Sequence, residues 1–396
     1  MSLFLLTYLT AYGVMTAFAG WRFQRGLGGS WRLWLPLGLF AVVMMLLPVL
    51  LRLVESRLGL WSGRVLTGAG WIWLALVFWA FSAFLGLEVW NGLLWVLGRA
   101  HRPFQAAMLT PLAAARGVLI LLPVLCLWGW VEGGWVRLRT VVIESDRVPA
   151  GTPPVRVVQI ADMHLGHTTR PGVWRRVLRL VADAEPDLVV SSGDLIDHVD
   201  SVVDGWLAEM APVTPLLGKV AILGNHEFYP GVERCIAALR AGGWVVLRNG
   251  AMDVTPGLRV VGLDDHLDGR NGGEPDEDEI LPAPRDGVFT LLLKHRPEVT
   301  AAARERCDLQ LSGHSHGGQI FPFGWAVQMV YLHPHGRLVS FPEGLRLYVS
   351  HGTGTWGPPF RLFAPPELTL FVVRPSARAT APPAGPSGPS GRQAVQ

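Results

Sequence analysis

The sequence predicts an all-α transmembrane region at the N-terminus, followed by an α/β domain. Half of the 396 residues are hydrophobic, and most of the excess over an ordinary soluble protein lies before residue 135. Beyond that point, short Val- and Leu-rich runs alternate with amphipathic stretches. The net charge is only +3 and the arginines are scattered, so nothing indicates nucleic-acid binding. The sequence likewise indicates no obligate protein partner.

Residues 1–134 contain four apolar segments, each close to the ~20 residues that a spanning helix needs. The first segment would alternatively be a signal sequence, but it lacks a basic start and a convincing cleavage site. We therefore predict a multi-pass protein of the cell membrane, with the lipid bilayer as its partner. The four segments are residues 3–20, 33–51, 70–98 and 112–131.

Glu88 is an acidic residue inside the third predicted span. Acids within a membrane are often functional. The neighbouring spans offer no obvious basic partner, so we expect Glu88 to face the helical bundle without forming a site.

The positive residues of the loops predict the orientation of the chain. Six arginines lie on one side and five on the other, and the positive-inside rule then places the α/β domain on the non-cytoplasmic face by a margin of one residue. The six are Arg22, Arg25, Arg32, Arg99, Arg102 and Arg116, and the five are Arg52, Arg57, Arg64, Arg137 and Arg139.

Residues 135–374 are predicted to form the α/β domain, because seven apolar runs of strand length alternate with helical stretches such as 172–186 and 231–243. From residue 375 to 396 the chain is a Pro/Ala/Gly/Ser tail that we expect to be disordered. The seven runs are residues 155–160, 186–192, 219–223, 244–247, 258–263, 289–294 and 308–312.

The three cysteines, Cys126, Cys235 and Cys307, match no metal-binding or redox spacing. Buried free thiols are the favoured interpretation. A pairing of Cys235 with Cys307 stays open, since it depends on the fold.

Polar residues follow five of the predicted strands, at the edge where α/β sheets gather their sites. Taken singly, each cluster is explained as well by a helix cap, a tight turn or a loop histidine. Five of them in this order make a single site assembled from five loops the better interpretation. They are Asp162 and His164, Asp194, Asn225 and His226, His295, and His314 and His316.

These residue types predict a metal centre. Carboxylates, imidazoles and an amide oxygen without thiolate suit divalent first-row metals such as manganese, iron or zinc. Seven ligands are too many for one tetrahedral ion, and they suit two ions roughly 3.5–4 Å apart that share a carboxylate and a hydroxide.

The motif order D-x-H, G-D-x-x-D, G-N-H-E, H and G-H-x-H resembles that of the calcineurin-like metallophosphoesterase superfamily. QIADMHLG, LLLKHRPEV, LSGHSHGGQIFP and LYVSHGTGTWGPPFRLFAPPEL resemble its membrane-associated bacterial branch and the multi-span transmembrane metallophosphoesterases. The resemblance covers residues 150–373 and implies a four-layer αββα sandwich. It also implies two divalent metal ions, with manganese favoured and iron or zinc as alternatives.

The resemblance implies a role for each site residue. His226 would contact the phosphate and protonate the leaving oxygen rather than bind metal. His167 and His198 lie near enough in sequence to touch a substrate, although surface loop histidines are commoner. His198 also stands where phosphoprotein phosphatases have arginine, which argues against a protein phosphatase. The first metal would be held by Asp162, His164, Asp194 and His316, and the second by Asp194 again with Asn225, His295 and His314.

The predicted function is a membrane-anchored, metal-dependent phosphoric ester hydrolase that uses a metal-bridged hydroxide. The anchor favours a lipid or envelope phosphoester as substrate. Hydrolysis of soluble nucleotides or small phosphodiesters is the first alternative, and an inactive membrane sensor or binding module is the second. Mono- and diesters are both open.

Overall fold

The computed structural model describes residues 2–54, 60–265 and 275–376. The first third of the chain is a helical bundle, and the remainder consists of two six-stranded sheets with flanking helices. The predicted fold class is therefore confirmed. Residues 377–396 of the predicted tail lie outside the described residues. Arg57, which was counted for the orientation, also lies outside them.

Long helices make up the bundle. Three stretches in the described part of the chain are long and apolar enough to cross a membrane: Trp31–Leu51, Ser62–Gly98 and Pro111–Gly134. The helix that holds the first predicted segment is not one of them, so a span over 3–20 stays a prediction. The helices are α1 (Ser2–Leu27), α2 (Trp31–Val54), α3 (Leu60–Gly98), α4 (Pro103–Ala106) and α5 (Pro111–Gly134).

Small residues bring α1, α3 and α5 together. Ala19, Ala80 and Ala114 are buried around Phe84 and Val118, one or two from each helix. Small side chains at such positions let helix backbones approach closely, which is how helices associate within a bilayer. The helix α1 is thus an integral member of the bundle.

Glu88 has a basic partner, contrary to the expectation from the sequence. Arg22 Nη1 lies 2.5 Å from Glu88 Oε1, and the Arg22 side chain is 4% exposed. The prediction placed Arg22 in a loop, but α1 continues to Leu27 and carries Arg22 into the bundle. A charge within a helical bundle is stabilised by a partner of opposite sign, and two helices distant in sequence provide the pair.

The first sheet has the strand order β1-β12-β2-β3-β4-β5, with β2 to β5 parallel and β12 antiparallel to β2. The C-terminal strand β12 also pairs in parallel with β1, from Arg137 opposite Glu367 to Ser145 opposite Pro375. These strands are β1 (Arg137–Ser145), β2 (Val155–Ile160), β3 (Leu188–Ser191), β4 (Lys219–Ala221), β5 (Val245–Val246) and β12 (Glu367–Pro375).

The second sheet has the order β10-β11-β9-β8-β7-β6, with a parallel centre from β11 to β7 and antiparallel edge strands. All seven predicted strands form, within a few residues at each end. The strands of this sheet are β6 (Gly250–Thr255), β7 (Leu258–Leu263), β8 (Phe289–Lys294), β9 (Leu309–Ser312), β10 (Leu338–Ser340) and β11 (Arg346–Val349).

The two sheets stack with helices on their outer faces. Val157 and Val190 of the first sheet pack against Leu291 and Leu311 of the second in one core cluster. Cys235 and Cys307 lie in two separate outer clusters as buried free thiols, so they do not pair. The helices are α6 (Pro171–Asp183), α7 (Ser201–Met210), α8 (Asn225–Phe228), α9 (Val232–Ala241), α10 (Glu277–Ile280), α11 (Ala301–Arg306) and α12 (Phe323–Val330).

The α/β domain is docked on the bundle. Ala75 and Trp79 of α3 share a buried cluster with Phe360 and Leu362 of the loop before β12. In the same loop, the backbone N–H of Arg361 donates to the carbonyl of Gly129 in α5 at 2.9 Å. The loop that closes the domain is thus held by the membrane helices.

Candidate metal centre

The loops after β2, β3, β4, β8 and β9 meet at one edge of the stacked sheets. Within each sheet the strands of this set are parallel, so their carboxyl ends point the same way. All seven predicted ligands and His226 lie at this edge, and every one of them except His314 is at most 8% exposed. The predicted convergence of five loops is therefore what the fold produces.

The backbone at this edge adopts an unusual conformation. Five of the seven predicted ligands have a left-handed φ between 50° and 70°, a region that residues other than glycine rarely occupy. Such residues cluster where a surrounding fold holds side chains in place for function. The five are Asp162, His164, Asp194, His314 and His316.

Two glycines let the loops approach each other. A Cβ atom on Gly224 would lie 2.2 Å from Asp194 Oδ1, and one on Gly313 would lie 2.2 Å from Asp162 Oδ2. Both distances are impossible for real atoms, so any larger residue would push a carboxylate out of the cluster. The glycines of the GNHE and GHSH motifs are therefore required by packing.

The ligand atoms fall into overlapping groups that fit two ions. Within each group, the atoms lie within 4.8 Å of one another. One group matches the predicted first metal without Asp194, and another matches the predicted second metal without Asn225. The groups are Asp162, His164 and His316; Asp194, His295 and His314; and His164, Asp194 and His226.

Two further observations fit bound cations. In the described part of the chain, Asp162 Oδ2 is buried without a hydrogen-bond partner, an arrangement that a cation would satisfy. Asn225 Oδ1 lies 3.0 Å from His314 Nδ1, which adds the amide oxygen to the second group. Carboxylate, imidazole and amide donors together suit divalent first-row metals.

Burial and neighbouring charges set the protonation of two histidines. His295 Nε2 lies 3.1 Å from Asp194 Oδ2. Burial alone would lower its pKa, but the carboxylates of Asp194, Asp162 and Asp265 together outweigh burial and raise the pKa of His295 to about 10. A cation bound at His295 would have to displace that proton. For His314, burial together with repulsion from His295 lowers the pKa to about 2. His314 is therefore neutral and keeps a lone pair for a cation.

Comparison with known proteins agrees with this geometry. Residues 155–318 match the family model for "Calcineurin-like phosphoesterase". A metallophosphoesterase of Aquifex aeolicus (strain VF5) is 35% identical over 62% of this chain and 94% of its own length. The chain belongs to the calcineurin-like metallophosphoesterases.

Relatives of this phosphoesterase include membrane proteins. A metallophosphoesterase of Helicobacter pylori (strain ATCC 700392 / 26695) is 31% identical over 57% of this chain and 61% of its own. A transmembrane protein with a metallophosphoesterase domain from Danio rerio is 29% identical over 65% of this chain and 62% of its own. With its three apolar helices, this phosphoesterase is a membrane protein and a metal-dependent phosphoric ester hydrolase.

Asp197 of the phosphoesterase is a site residue that the sequence analysis did not select. Its Oδ1 accepts hydrogen bonds from Nδ1 of His164 at 2.6 Å and Nδ1 of His226 at 2.8 Å. Burial opposes ionisation, but these two histidines outweigh burial and hold the pKa of Asp197 well below its usual range. Asp197 thereby orients both rings with Nε2 toward the centre. The signal was present, since Asp197 is the second acid of G-D-x-x-D.

Glu227 ties two motif loops together and was also missed. It is fully buried. Oε1 accepts from the Ile196 N–H at 3.0 Å, and Oε2 accepts from Gly224 at 2.8 Å and Asp194 at 3.1 Å. Burial, with help from Asp194, raises the pKa of Glu227 to about 8. Its position as the last letter of GNHE is the only signal in the sequence.

Arg361 supports the GHSH loop from behind. Its buried guanidinium donates to the carbonyls of His316 at 3.1 Å and Gly354 at 2.6 Å, and Nη2 lies 3.3 Å from His316 Nδ1. The backbone N–H of Arg361 also donates to a carbonyl of α5, so Arg361 connects the GHSH loop to the membrane bundle. In the sequence, only the resemblance of LYVSHGTGTWGPPFRLFAPPEL to related phosphoesterases indicated this segment.

His167 and His198 lie beside the ligand cluster rather than in it. Their ring centroids are 5.6 Å apart, and His167 Nε2 is 3.1 Å from Asp200 Oδ2. Both line a cavity that also reaches His226. A substrate-binding role for either stays a prediction.

Proposed function

We propose that this phosphoesterase binds two divalent metal ions and hydrolyses a lipid phosphoester at the membrane surface. The observation that carries the proposal is the convergence of seven candidate ligands, six buried and His314 half-buried, beside His226 in a domain docked on membrane helices.

The proposed ligand sets follow the two outer groups of the cluster. The first ion would be held by Asp162, His164, Asp194 and His316, and the second by Asp194, Asn225, His295 and His314. Manganese suits this donor set, with iron and zinc as the alternatives. When bound, two such ions supply an activated water and counter-charge for the phosphate.

The chain's own residues would orient and protonate the substrate. With Nδ1 bonded to Asp197, His226 presents Nε2 to the edge where a phosphoester would lie. From there it can donate its proton to the leaving oxygen, and the Asp197 carboxylate stabilises the imidazolium before the transfer. His226 also lies within 4.8 Å of the ligand atoms of His164 and Asp194. Metal counts are therefore part of the test of its role.

The surroundings of the site favour a substrate drawn from the bilayer. Phe323 of α12 contacts Phe78 of α3, with ring centroids 6.3 Å apart. Beside this contact, α12 exposes Trp325 and Met329 at 65% and 77%. Large exposed apolar residues next to a spanning helix are typical of a surface that lies in the membrane interface. The active-site edge would then face the headgroups.

A substrate panel on the full-length protein in detergent tests the proposal. With manganese added, we expect hydrolysis of lipid phosphoesters and of a simple aryl phosphoester, and loss of both on chelation. Preference for nucleotides over lipids would favour the soluble-substrate alternative. A protein that binds two metals and hydrolyses none of these esters would be the inactive sensor.

The sequence predicts that the catalytic domain lies on the non-cytoplasmic face, and this orientation stays a prediction. The pairing of Arg22 with Glu88 inside the bundle removes one of the six positive residues counted on the opposite side. Five then stand on each side, so the charge rule favours neither. Protease treatment of intact spheroplasts decides the matter: digestion of the domain supports the proposal, and full protection overturns it.

A further inference from the structure

A cavity of about 410 Å³ lies between the membrane helices and the metal centre. Pro48 and Leu51 of α2 and Thr67 and Trp71 of α3 line one side, and the catalytic domain lines the other. The volume is within the range of roughly 300–1,000 Å³ that small-molecule sites occupy. It is a site with walls from both halves of the molecule.

The cavity is polar at one end and apolar at the other. His226 lies at the polar end, and Trp356 stands beside it with a ring-centroid distance of 5.8 Å. Trp71 of α3 continues the wall, 5.9 Å from Trp356. An aromatic wall therefore leads from the proposed proton donor to the apolar side chains of the membrane helices.

The helix that forms the wall is fixed to the catalytic loop. Arg64 of α3 donates from Nε to the carbonyl of His167 at 3.0 Å and from Nη2 to that of Thr169 at 3.1 Å. Both carbonyls belong to the loop that begins with the D-x-H motif. The cavity is thus built by specific contacts rather than left by loose packing.

Charged residues flank the cavity-lining ends of α2 and α3, as is typical of the edge of a membrane span. In the sequence of α2, Leu51 is followed by Arg52, the first charged residue after Arg32. The helix α3 has 39 residues and is therefore about 58 Å long. The hydrocarbon core is only about 30 Å thick, and a charged residue is costly inside it. We therefore place the end of α3 that carries Arg64 in the headgroup region. A lipid headgroup and its first methylene groups occupy this level.

We propose that the cavity receives the hydrocarbon-bearing alcohol of a lipid phosphoester, as the leaving group of the reaction. This rests on the proposed phosphoesterase function and adds which P–O bond is cleaved. The lipid oxygen leaves with the electron pair of that bond and takes the proton held by His226. Water supplies the hydroxyl group that phosphorus gains, and its remaining proton restores His226. The products are a lipid alcohol in the cavity and a phosphate in water.

The first test compares two substitutions on the same helix in the full-length, manganese-loaded protein. Thr67→Trp fills the cavity, whereas Val65→Trp adds the same bulk at a position 48% exposed. The measured quantity is kcat/KM for phosphatidic acid in mixed micelles divided by kcat/KM for p-nitrophenyl phosphate. We expect Thr67→Trp to lower this ratio by about tenfold or more, the effect of misfit in an apolar pocket, and Val65→Trp to leave it unchanged.

The second test uses the metal-free protein and does not depend on turnover. A phosphatidic acid with a photoreactive group near the start of its acyl chain should label the α3 segment around Thr67 and Trp71, or the loop at Trp356. Thr67→Trp should remove this labelling whether or not that variant keeps its activity. Labelling of the outer face of the bundle alone overturns the inference.

The products and the remaining outcomes separate this inference from the proposed function. Phosphatidylglycerol should yield diacylglycerol, and accumulation of phosphatidic acid shows that the wrong bond was assigned. An unchanged ratio in Thr67→Trp overturns the cavity assignment while lipid hydrolysis stands. Turnover of the aryl ester without any lipid turnover overturns the lipid substrate itself.

Discussion

The helical bundle and the catalytic domain differ in where their large apolar side chains lie. Between α1, α3 and α5 the buried cluster is made of alanines with Phe84 and Val118. The outward faces carry large apolar residues, such as Ile120 at 70% and Leu127 at 68% exposed. In the domain, the apolar residues lie inside, in clusters such as that of Val157, Val190 and Leu291, and the carboxylates of Asp162 and Asp194 are buried beside the stacked sheets. A lipid solvent tolerates apolar surface outside, whereas a domain in water hides its apolar surface and encloses charged groups where they have partners.

The junction between the two regions combines both kinds of contact. Trp79 is 2% exposed against Phe360, and its indole N–H donates to the carbonyl of Phe321 at 3.1 Å. Arg361, the residue after Phe360, donates to the carbonyl of His316 in the GHSH loop. The bundle is therefore a structural part of the site and does more than tether the domain. We expect four effects from substitutions in the site, at the junction and in the domain, beginning with the largest.

Removal of Asp194, the proposed bridging carboxylate, should abolish the metal centre. Asp194→Ala should lose both metals and fall to the activity of chelated wild type. It should also lose the stabilisation that bound metal provides, which is about 2.7 kcal/mol when free metal is 100 times its Kd. Elemental analysis, rates and thermal unfolding measure these effects. Asp183→Ala, an exposed position on α6, should change none of them, and a variant that keeps both metals would contradict the bridging role.

Removal of the proposed proton donor should separate chemistry from metal binding. His226→Ala should keep two metals per chain while kcat falls by about 10²–10⁴, the range for a general acid. The loss should be smaller for an aryl ester with a good leaving group, because its departing oxygen hardly needs a proton. Metal loss in His226→Ala would instead support its membership of the third ligand group.

Truncation of the junction tryptophan should destabilise the docked domain. Trp79→Ala removes a buried ring and leaves the Phe321 carbonyl without its donor, so we expect a loss of about 3–5 kcal/mol in unfolding free energy. Trp95→Ala is the matched control, since Trp95 lies on the same helix at 47% exposure and should cost less than about 0.5 kcal/mol. Thermal unfolding in detergent compares them. Equal stability of the two variants would show that the regions are only tethered.

The smallest expected effect is on the stability of the catalytic domain at acidic pH. The hydrogen bond from His167 lowers the pKa of Asp200 to about 2, and the backbone N–H groups of Val202 and Val203 add to this. Because the folded-state pKa is below the unfolded value of about 3.9, the stabilisation is complete above that value and is lost as pH falls toward 2. Asp200→Asn should flatten this part of the stability curve. Asp204→Asn, exposed in the same first turn of α7, should leave the curve as it is.

Much of the fold could be predicted because its signals are local. Runs such as 155–160 and 289–294 became strands with the predicted bounds. Their apolar side chains require burial on both faces, whatever the rest of the chain does. The strands β1 and β12 were not predicted. They pair across 230 residues at Glu144 and Arg374, and a parallel edge pairing of that kind leaves no pattern within a short window.

The sequence by itself was enough to predict the candidate ligands and the loops that carry them, since each motif is a few residues long and follows its own strand. Only the tertiary structure decided what holds them. The bridging of His164 and His226 by Asp197, the pairing of Arg22 with Glu88, and the cavity between α3 and His226 all join residues distant in the chain. Such contacts depend on how the helices and sheets pack, and packing depends on the whole chain at once.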